Sequence, residues 1–309
     1  MTSVIDFRAL LREERETARR QASIVAGAHE RSGSQSEQGA QSIQRVKELQ
    51  ESAYDKLVET VDKHTDSVDK LRVNPRLVNS AVGLSEAFAL PNNVLGDIMY
   101  VPDFLTGDAA KTLHDNVNMM GNAASRSQLW TQLKTRRLQC WGGAVGVDDR
   151  ESTSPAYLRK LGELLVNLGI FDADERPNHY LINQYLPDEG ILPHQDGPKY
   201  LPKVAIISLN EQCVFTFYKY IPSSSTESRA GQPPLCSLLL RPNSLLVFSG
   251  DAYTECLHGI APDSVHRIDS ESTGVVVNKE TTGAISGDQV SRSENRTSLT
   301  IRFVQWARA

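Results

Sequence analysis

The sequence predicts a mainly β protein with flanking helices, a double-stranded β-helix (jelly roll) carrying an N-terminal helical extension. Three observations support this. From His179 onward the chain breaks into short β-branched and aromatic runs, HYLINQYL, KVAIISLN, CVFTFYKY, SLLLRPNSLLVFSG and SLTIRFVQW, separated by Gly, Pro, Asn and Asp. Regularly spaced short strands with turn residues between them indicate a sandwich or barrel, here of the jelly-roll kind. Helical periodicity is confined to segments ahead of those runs. A hydrophobic share of 39% with 23% charged residues is the composition of a folded chain with some loose segments.

Taken in order, residues 5–28 read as helix, with Phe7, Leu10 and Leu11 among charges, and SGSQSEQGAQ at 32–41 reads as a flexible linker. A longer helix is predicted over 42–71. Val46, Leu49, Ala53, Leu57, Val61, Val68 and Leu71 recur at steps of three and four and form one narrow apolar stripe. His64 lies on that stripe and reads as a packing histidine. Asn74-Pro75 ends the helix, because the residue before proline is driven out of the α region. Residues 1–75 therefore form an extension whose stripe packs on the main domain, or pairs with a protein partner or a second copy of the chain.

The second domain is placed at 95–309. VLGDIMYVPDFL reads as strand and turn, and LTGDAAKTLHDNVNMMG as an amphipathic helix capped by Thr106. SPAYLRKLGELLVNLGIF reads as a helix with Leu158, Leu161, Leu164 and Leu165 inward, capped by Ser154 with Pro155 in its first turn. SLLLRPNSLLVF reads as a hairpin turning at Arg241-Pro242-Asn243. The polar stretch 261–295 shows no core pattern beyond 275–277 and reads as a long, mobile loop insertion.

Several classes are excluded or disfavoured. No run approaches eighteen apolar residues, so no membrane span is expected, and MTSVIDFRALLREERE lacks the apolar core of a signal peptide. Cys140, Cys213, Cys236 and Cys256 are scattered without a C-x-x-C pair, which points to a reducing compartment, cytoplasm or nucleus. A net charge of −5 argues against strong non-specific nucleic-acid binding but allows a local basic groove.

The chemistry concentrates in the strand-like half. His194 and Asp196 are two residues apart, so both side chains leave an extended strand on one side. The turn signals PDEG before them and Gly197-Pro198 after them place the pair at a strand end. His-x-Asp alone is a weak signal, because a surface histidine beside a turn aspartate is the commoner arrangement. His258 follows the strand LLVF and precedes Gly259; its rival, His266, falls in the loop and is expected to be solvated. Two imidazoles and a carboxylate occupy one face of an octahedral metal and leave three positions open, which suits Fe(II) better than zinc. Asn183 and Tyr185 share a face on the preceding strand, with Gln184 turned away, and Arg296 and Arg302 share a face on the last one. An arginine on a strand offers a planar fork for a carboxylate such as that of a 2-oxo acid.

Together, NQY, HQD, LHGI and RTSLTIR resemble the AlkB family of Fe(II)- and 2-oxoglutarate-dependent dioxygenases, whose pattern is N-x-Y, H-x-D, a distal H and R-x-N-x-x-x-R. Within it, WTQLKTRRLQCWGG, NQYLPDEGILPHQDGP and LLRPNSLLVFSGDAYTECLHGI are similar to the sixth AlkB homologue subgroup. The resemblance covers about 97–306. It implies that His194, Asp196 and His258 hold Fe(II), and that Arg296 grips the distal carboxylate of 2-oxoglutarate with Tyr185 and Ser298 assisting. Asn183 and Arg302 would attend the carboxylate nearer the metal. Ser298 departs from the family's usual Asn, exchanging an amide contact for a hydroxyl. Dioxygen is the remaining co-substrate, and an N-methyl group hydroxylated at such a site collapses to formaldehyde.

The substrate implied is a methylated nucleic acid. Lys134, Arg136 and Arg137 are candidates for phosphates and Trp130 and Trp141 for base stacking, the equal alternative being core tryptophans flanked by solvated basic residues. A protein side chain is the alternative substrate, and a non-catalytic scaffold acting through the N-terminal helices is the third reading.

Overall fold

In a computed structural model, the protein is described at residues 82–83, 97–122, 130–142, 154–221 and 232–304. These residues all lie in one of the chain's two compact units, the one built from 58–225 and 232–309. The helices expected at 5–28 and 42–71, the linker at 32–41 and the boundary near 75 lie outside the described residues. No described helix is long and apolar enough to cross a membrane.

The described chain runs β1 (Val82–Gly83), β2 (Ile98–Val101), α1 (Gly107–Asn122), β3 (Thr131–Gln132), β4 (Arg137–Gly142), α2 (Ala156–Asn167), β5 (His179–Tyr185), β6 (Ile191–His194), β7 (Lys203–Ser208) and β8 (Cys213–Lys219). It continues through β9 (Cys236–Leu240), β10 (Leu245–Ser249), α3 (Gly250–Thr254), β11 (Cys256–Ile260), β12 (Val265–Arg267), α4 (Lys279–Thr282), β13 (Gln289–Ser291) and β14 (Arg296–Arg302). Eight strands form one sheet in the order β1-β2-β10-β7-β14-β5-β4-β3, and four form a second in the order β6-β11-β8-β9. Neighbours in both sheets are antiparallel and mostly distant in sequence, the double-stranded β-helix that the strand spacing predicts.

Alternation along β5 and β14 divides the large sheet into two chemically different faces. Tyr185, Asn183, Leu181 and His179 pair with Arg296, Ser298, Thr300 and Arg302 on the inner face. There Tyr185 joins Val204, Ile206, Leu246 and Phe248 of the same sheet and Phe215, Phe217, Leu238 and Leu240 of the second in one core. The outer row carries Gln184, Ile182 and Tyr180 opposite Thr297, Leu299 and Ile301. Helices cover that side: Gln139 Nε2 donates to Val117 O of α1 at 3.2 Å, and His114 Nε2 meets Thr297 Oγ1 at 3.2 Å. A Cβ on Gly162 of α2 would lie 2.4 Å from the Tyr180 hydroxyl, so glycine is what lets α2 sit this close. Thr106 does cap α1, accepting from Ala109 N at 3.3 Å. Ser154 does not cap α2, whose N-cap is Pro155 with no side-chain hydrogen bond; Leu164 is only half-buried, and Tyr157 fills the inward row instead.

Two expectations need correction. SLLLRPNSLLVF is not a hairpin: β9 lies in the four-stranded sheet and β10 in the eight-stranded one. Its turn crosses between the sheets, with Asn243 at φ 66° and Asn243 N donating to Ser208 O at 2.8 Å. Residues 261–295 form a folded insertion rather than a free loop. β12 pairs with β13, and Ile268, Val276 and Val290 pack on Val214 and Leu239. Asn278 clasps the Leu239 backbone in both directions at 2.9 Å. His266 is accordingly buried rather than solvated, at 4% exposure.

Candidate metal and co-substrate site

β6 and β11 pair antiparallel with His258 directly opposite His194, and Asp196 follows β6 by two residues. Gly259 makes the approach possible, because a Cβ there would lie 2.8 Å from Ile191 O. Its role is thus in the strand pairing that carries the imidazole. His194 Nε2 lies 3.9 Å from Asp196 Oδ1 and His258 Nε2 lies 4.0 Å from it. One ligand atom from each residue falls within 4.8 Å of the others, the arrangement of a metal site.

The surroundings prepare each group for that role. His194 Nδ1 contacts Leu192 O at 2.8 Å; a carbonyl only accepts, so Nδ1 carries the proton and Nε2 presents a lone pair. The His258 ring stacks on Phe215 at 5.4 Å and 17° and meets Phe248 at 5.0 Å. Burial, reinforced by His194, takes the His258 pKa down to about 3, and burial also lowers that of His194, so both rings are neutral at pH 7. Burial alone would raise the Asp196 carboxyl. The Arg302 guanidinium at 2.7 Å outweighs it and holds the group below its ordinary range. Asp196 Oδ2 is buried without a hydrogen-bond partner. Two neutral nitrogens, an ionised oxygen and an unsatisfied second oxygen fit a divalent cation.

The inner face beside this trio is built for an anion. Arg296 is 1% exposed, donates to Ser208 Oγ at 2.8 Å and Ser298 Oγ at 3.2 Å, and leaves its Nε unpartnered. A buried guanidinium satisfied only by hydroxyls is strongly in need of a carboxylate. Tyr185 stands opposite it in register; burial raises its pKa despite the nearby Arg136 and Arg296. Arg302 links the two halves of the site, bound to Asp196, lying 4.7 Å over the Tyr200 ring, and also with a free Nε. All five residues expected at the co-substrate thus lie on the inner face of β5 and β14 in the large sheet, while the trio is carried by the small sheet, and Arg302 joins the two through Asp196.

The lip residues sort differently from expectation. Arg136 is not a surface phosphate contact: it is 5% exposed and its Nε donates to Asn183 Oδ1 at 3.1 Å. Trp141 is not a stacking platform, being 3% exposed with Nε1 donating to Gln139 Oε1. Trp130 remains half-buried with the Arg137 guanidinium 4.5 Å over its ring, and Lys134 is exposed. Sequence reasoning missed Ser208, Tyr200 and His179, which hold or flank the two arginines. His179 is buried opposite Arg302, 5.2 Å from the Tyr200 ring and 3.4 Å from Cys140 Sγ.

The chain was compared with known proteins. Residues 98–302 match the family described as the 2OG-Fe(II) oxygenase superfamily. The chain is 37% identical over 212 residues to "Probable RNA/DNA demethylase ALKBH6" of Danio rerio, covering 67% of this chain and 85% of that protein. It is 27% identical over 182 residues to "Uncharacterized protein L905" of Acanthamoeba polyphaga mimivirus, covering 57% of this chain and 79% of that one. The solved structure of OsALKBH1 matches at TM-score 0.40 and 15% identity, over 67% of this chain and 96% of that one. The His-Asp-His trio, the family match over 98–302 and the similarity to the Danio rerio relative lead to one conclusion: the chain belongs to the 2OG-Fe(II) oxygenase superfamily, among its AlkB-type members, and is an oxidoreductase using Fe(II), 2-oxoglutarate and dioxygen.

Proposed function

We propose that the protein oxidatively demethylates an N-methylated nucleic-acid base, with His194, Asp196 and His258 as the iron ligands and Arg296 as the co-substrate anchor. The observation carrying the site assignment is the buried Arg296, held by Ser208 and Ser298, on the same strand face as Arg302, which reaches the Asp196 of a preorganised His-Asp-His trio. The similarity to a relative named as a probable RNA/DNA demethylase supports the substrate, as does the exposed Lys134 beside Trp130 and Arg137.

When bound, the iron, 2-oxoglutarate and dioxygen would supply the oxidising power, 2-oxoglutarate losing carbon dioxide as one oxygen atom goes to succinate and the other into a substrate C–H bond. The chain's own residues bind and orient. Leu192 O fixes the His194 tautomer, and Phe215 and Phe248 hold the His258 plane and keep water from it. Arg302 keeps Asp196 ionised. Arg296 and Tyr185 receive the distal carboxylate, with Ser298 positioning the Arg296 fork, while Asn183 and Arg302 face the carboxylate nearer the iron. A hydroxylated N-methyl group then breaks its C–N bond to give formaldehyde and an N–H. The test is to measure succinate and formaldehyde from the purified full chain against matched methylated oligonucleotides and methylated peptides. Stimulation by oligonucleotides supports the reading; stimulation by peptides alone replaces it with protein demethylation.

A further inference from the structure

We propose that Arg136 is a positioning residue for 2-oxoglutarate: it turns the Asn183 side chain so that the amide NH2 group faces the carboxylate nearer the iron. The inference rests on the assignment of Asn183 to that carboxylate made above.

The hairpin of β3 and β4 brings Arg136 to this place. Arg136 closes the turn between the two strands, its carbonyl accepting from Leu133 N at 2.8 Å and from Gln132 Nε2 at 3.3 Å. It precedes Leu138 by two residues, and strand alternation puts both on one face. Leu138 stands opposite Asn183 in the register of β4 and β5, so Arg136 reaches Asn183 along the diagonal, a separation that a long side chain spans. There its Nε donates to Asn183 Oδ1 at 3.1 Å, with both residues 5% exposed. Arg137 leaves on the other face and donates to Gln184 Oε1 at 2.7 Å. The two adjacent arginines thus each hold one amide of β5.

The chemical consequence follows from what a guanidinium can do. Its nitrogens donate and cannot accept, so the end of the amide that meets Arg136 is the oxygen. The NH2 group is then turned away from Arg136 and left for an acceptor. A carboxylate accepts at both oxygens and donates at neither. Rotated by a half-turn, the same amide would offer the carboxylate a lone pair and repel it. The contact is a hydrogen bond from a charged donor between buried groups, which is the stronger kind. One orientation of Asn183 is therefore set before the co-substrate arrives.

The experiment is a double-mutant cycle on the full chain with Fe(II), titrating 2-oxoglutarate without oxygen and following the charge-transfer absorption of the chelate. Asn183→Ala should itself weaken binding. Arg136→Met should raise Kd by about tenfold in the wild-type background, the factor of one misdirected hydrogen bond to a charged group. In the Asn183→Ala background the same substitution should change Kd by less than about twofold, because its effect passes through the amide. In air, the change should appear in KM for 2-oxoglutarate far more than in kcat. Arg136→Lys, still a donor only, should recover most of the affinity. Arg136→Gln, which can donate or accept, should not, and it replaces Arg136→Met if that variant lacks a cooperative unfolding transition. Asn183→Asp keeps an acceptor for Arg136 but turns a second acceptor on the co-substrate, so it should bind more weakly than Asn183→Ala. Equal effects of Arg136→Met in the two backgrounds would overturn the inference and leave Arg136 acting by its charge or its packing. A wild-type Kd in Asn183→Ala would instead remove Asn183 from the co-substrate site, and the reading beneath the inference would fail.

Discussion

Replacing Arg296 by lysine keeps the charge and removes the fork. In the wild-type protein two of the guanidinium nitrogens rest on Ser208 Oγ at 2.8 Å and Ser298 Oγ at 3.2 Å, and Nε has no partner. The hydroxyls fix the plane of the guanidinium, so a carboxylate arriving opposite Tyr185 meets preset donors and loses little entropy. A lysine ammonium is shorter and cannot span both serines while donating two parallel bonds. The loss is that of at least one hydrogen bond to a charged group, about 1.5–3 kcal/mol, or about 10- to 150-fold in Kd. The assay is an oxygen-free titration of 2-oxoglutarate into the Fe(II) protein, followed by the charge-transfer absorption of the chelate. Iron affinity, set by His194, Asp196 and His258, should be unchanged. An Arg296→Lys protein that binds 2-oxoglutarate as tightly as wild type would refute the clamp and leave Arg296 a structural residue.

Three further outcomes follow from the same geometry. His179 has an unfolded value near 6.5 and is pushed down to about 3 by burial and by Arg302, so its contribution to stability is full above 6.5 and is lost as pH falls towards 3. At about pH 5 it should cost the wild type about 2 kcal/mol relative to neutral pH, and His179→Gln should remove that part of the pH slope in urea denaturation; identical slopes would show that the ring is solvated. Gly142→Ala should destabilise by at least about 1–3 kcal/mol, because Gly142 has φ 73° and a Cβ would lie 2.0 Å from Asn178 O; a wild-type denaturation midpoint would mean that β4 can move. Trp141→Ala should cost about 3–5 kcal/mol of stability as a buried aromatic, whereas Trp130→Ala should leave the denaturation curve nearly unchanged and weaken oligonucleotide binding. The reverse pattern would restore Trp141 as a stacking surface.

What the sequence made legible is whatever leaves a local signature. Strands of four to seven residues bounded by turn residues could be read one by one, and the face shared by Asn183 and Tyr185, or by Arg296 and Arg302, follows from a period of two. The trio was legible because His194 and Asp196 are close in sequence and His258 sits on a recognisable strand. Which strands pair is a different matter. The run SLLLRPNSLLVF has the same texture whether β9 and β10 pair or pass into separate sheets, since both are buried along nearly their whole length. The insertion hid its core because Ile268, Val276 and Val290 stand far apart among polar residues. Arg136 and Arg137 are adjacent, so a one-residue uncertainty in strand parity decides which faces the site: Arg136 meets Asn183 inside and Arg137 meets Gln184 outside. The segment around Trp130 reads as a basic aromatic lip only if that parity is guessed correctly for both tryptophans.

The most direct measurement of the central claim is succinate formation from 2-oxoglutarate by the purified full chain with Fe(II) and air, in the absence of any methylated substrate. Slow turnover is expected for the wild type. His194→Ala and Asp196→Ala should abolish it while keeping a cooperative unfolding transition, because each removes one of three ligand atoms that lie within 4.8 Å of one another. Folded variants that form succinate at the wild-type rate would contradict the assignment of iron to His194, Asp196 and His258.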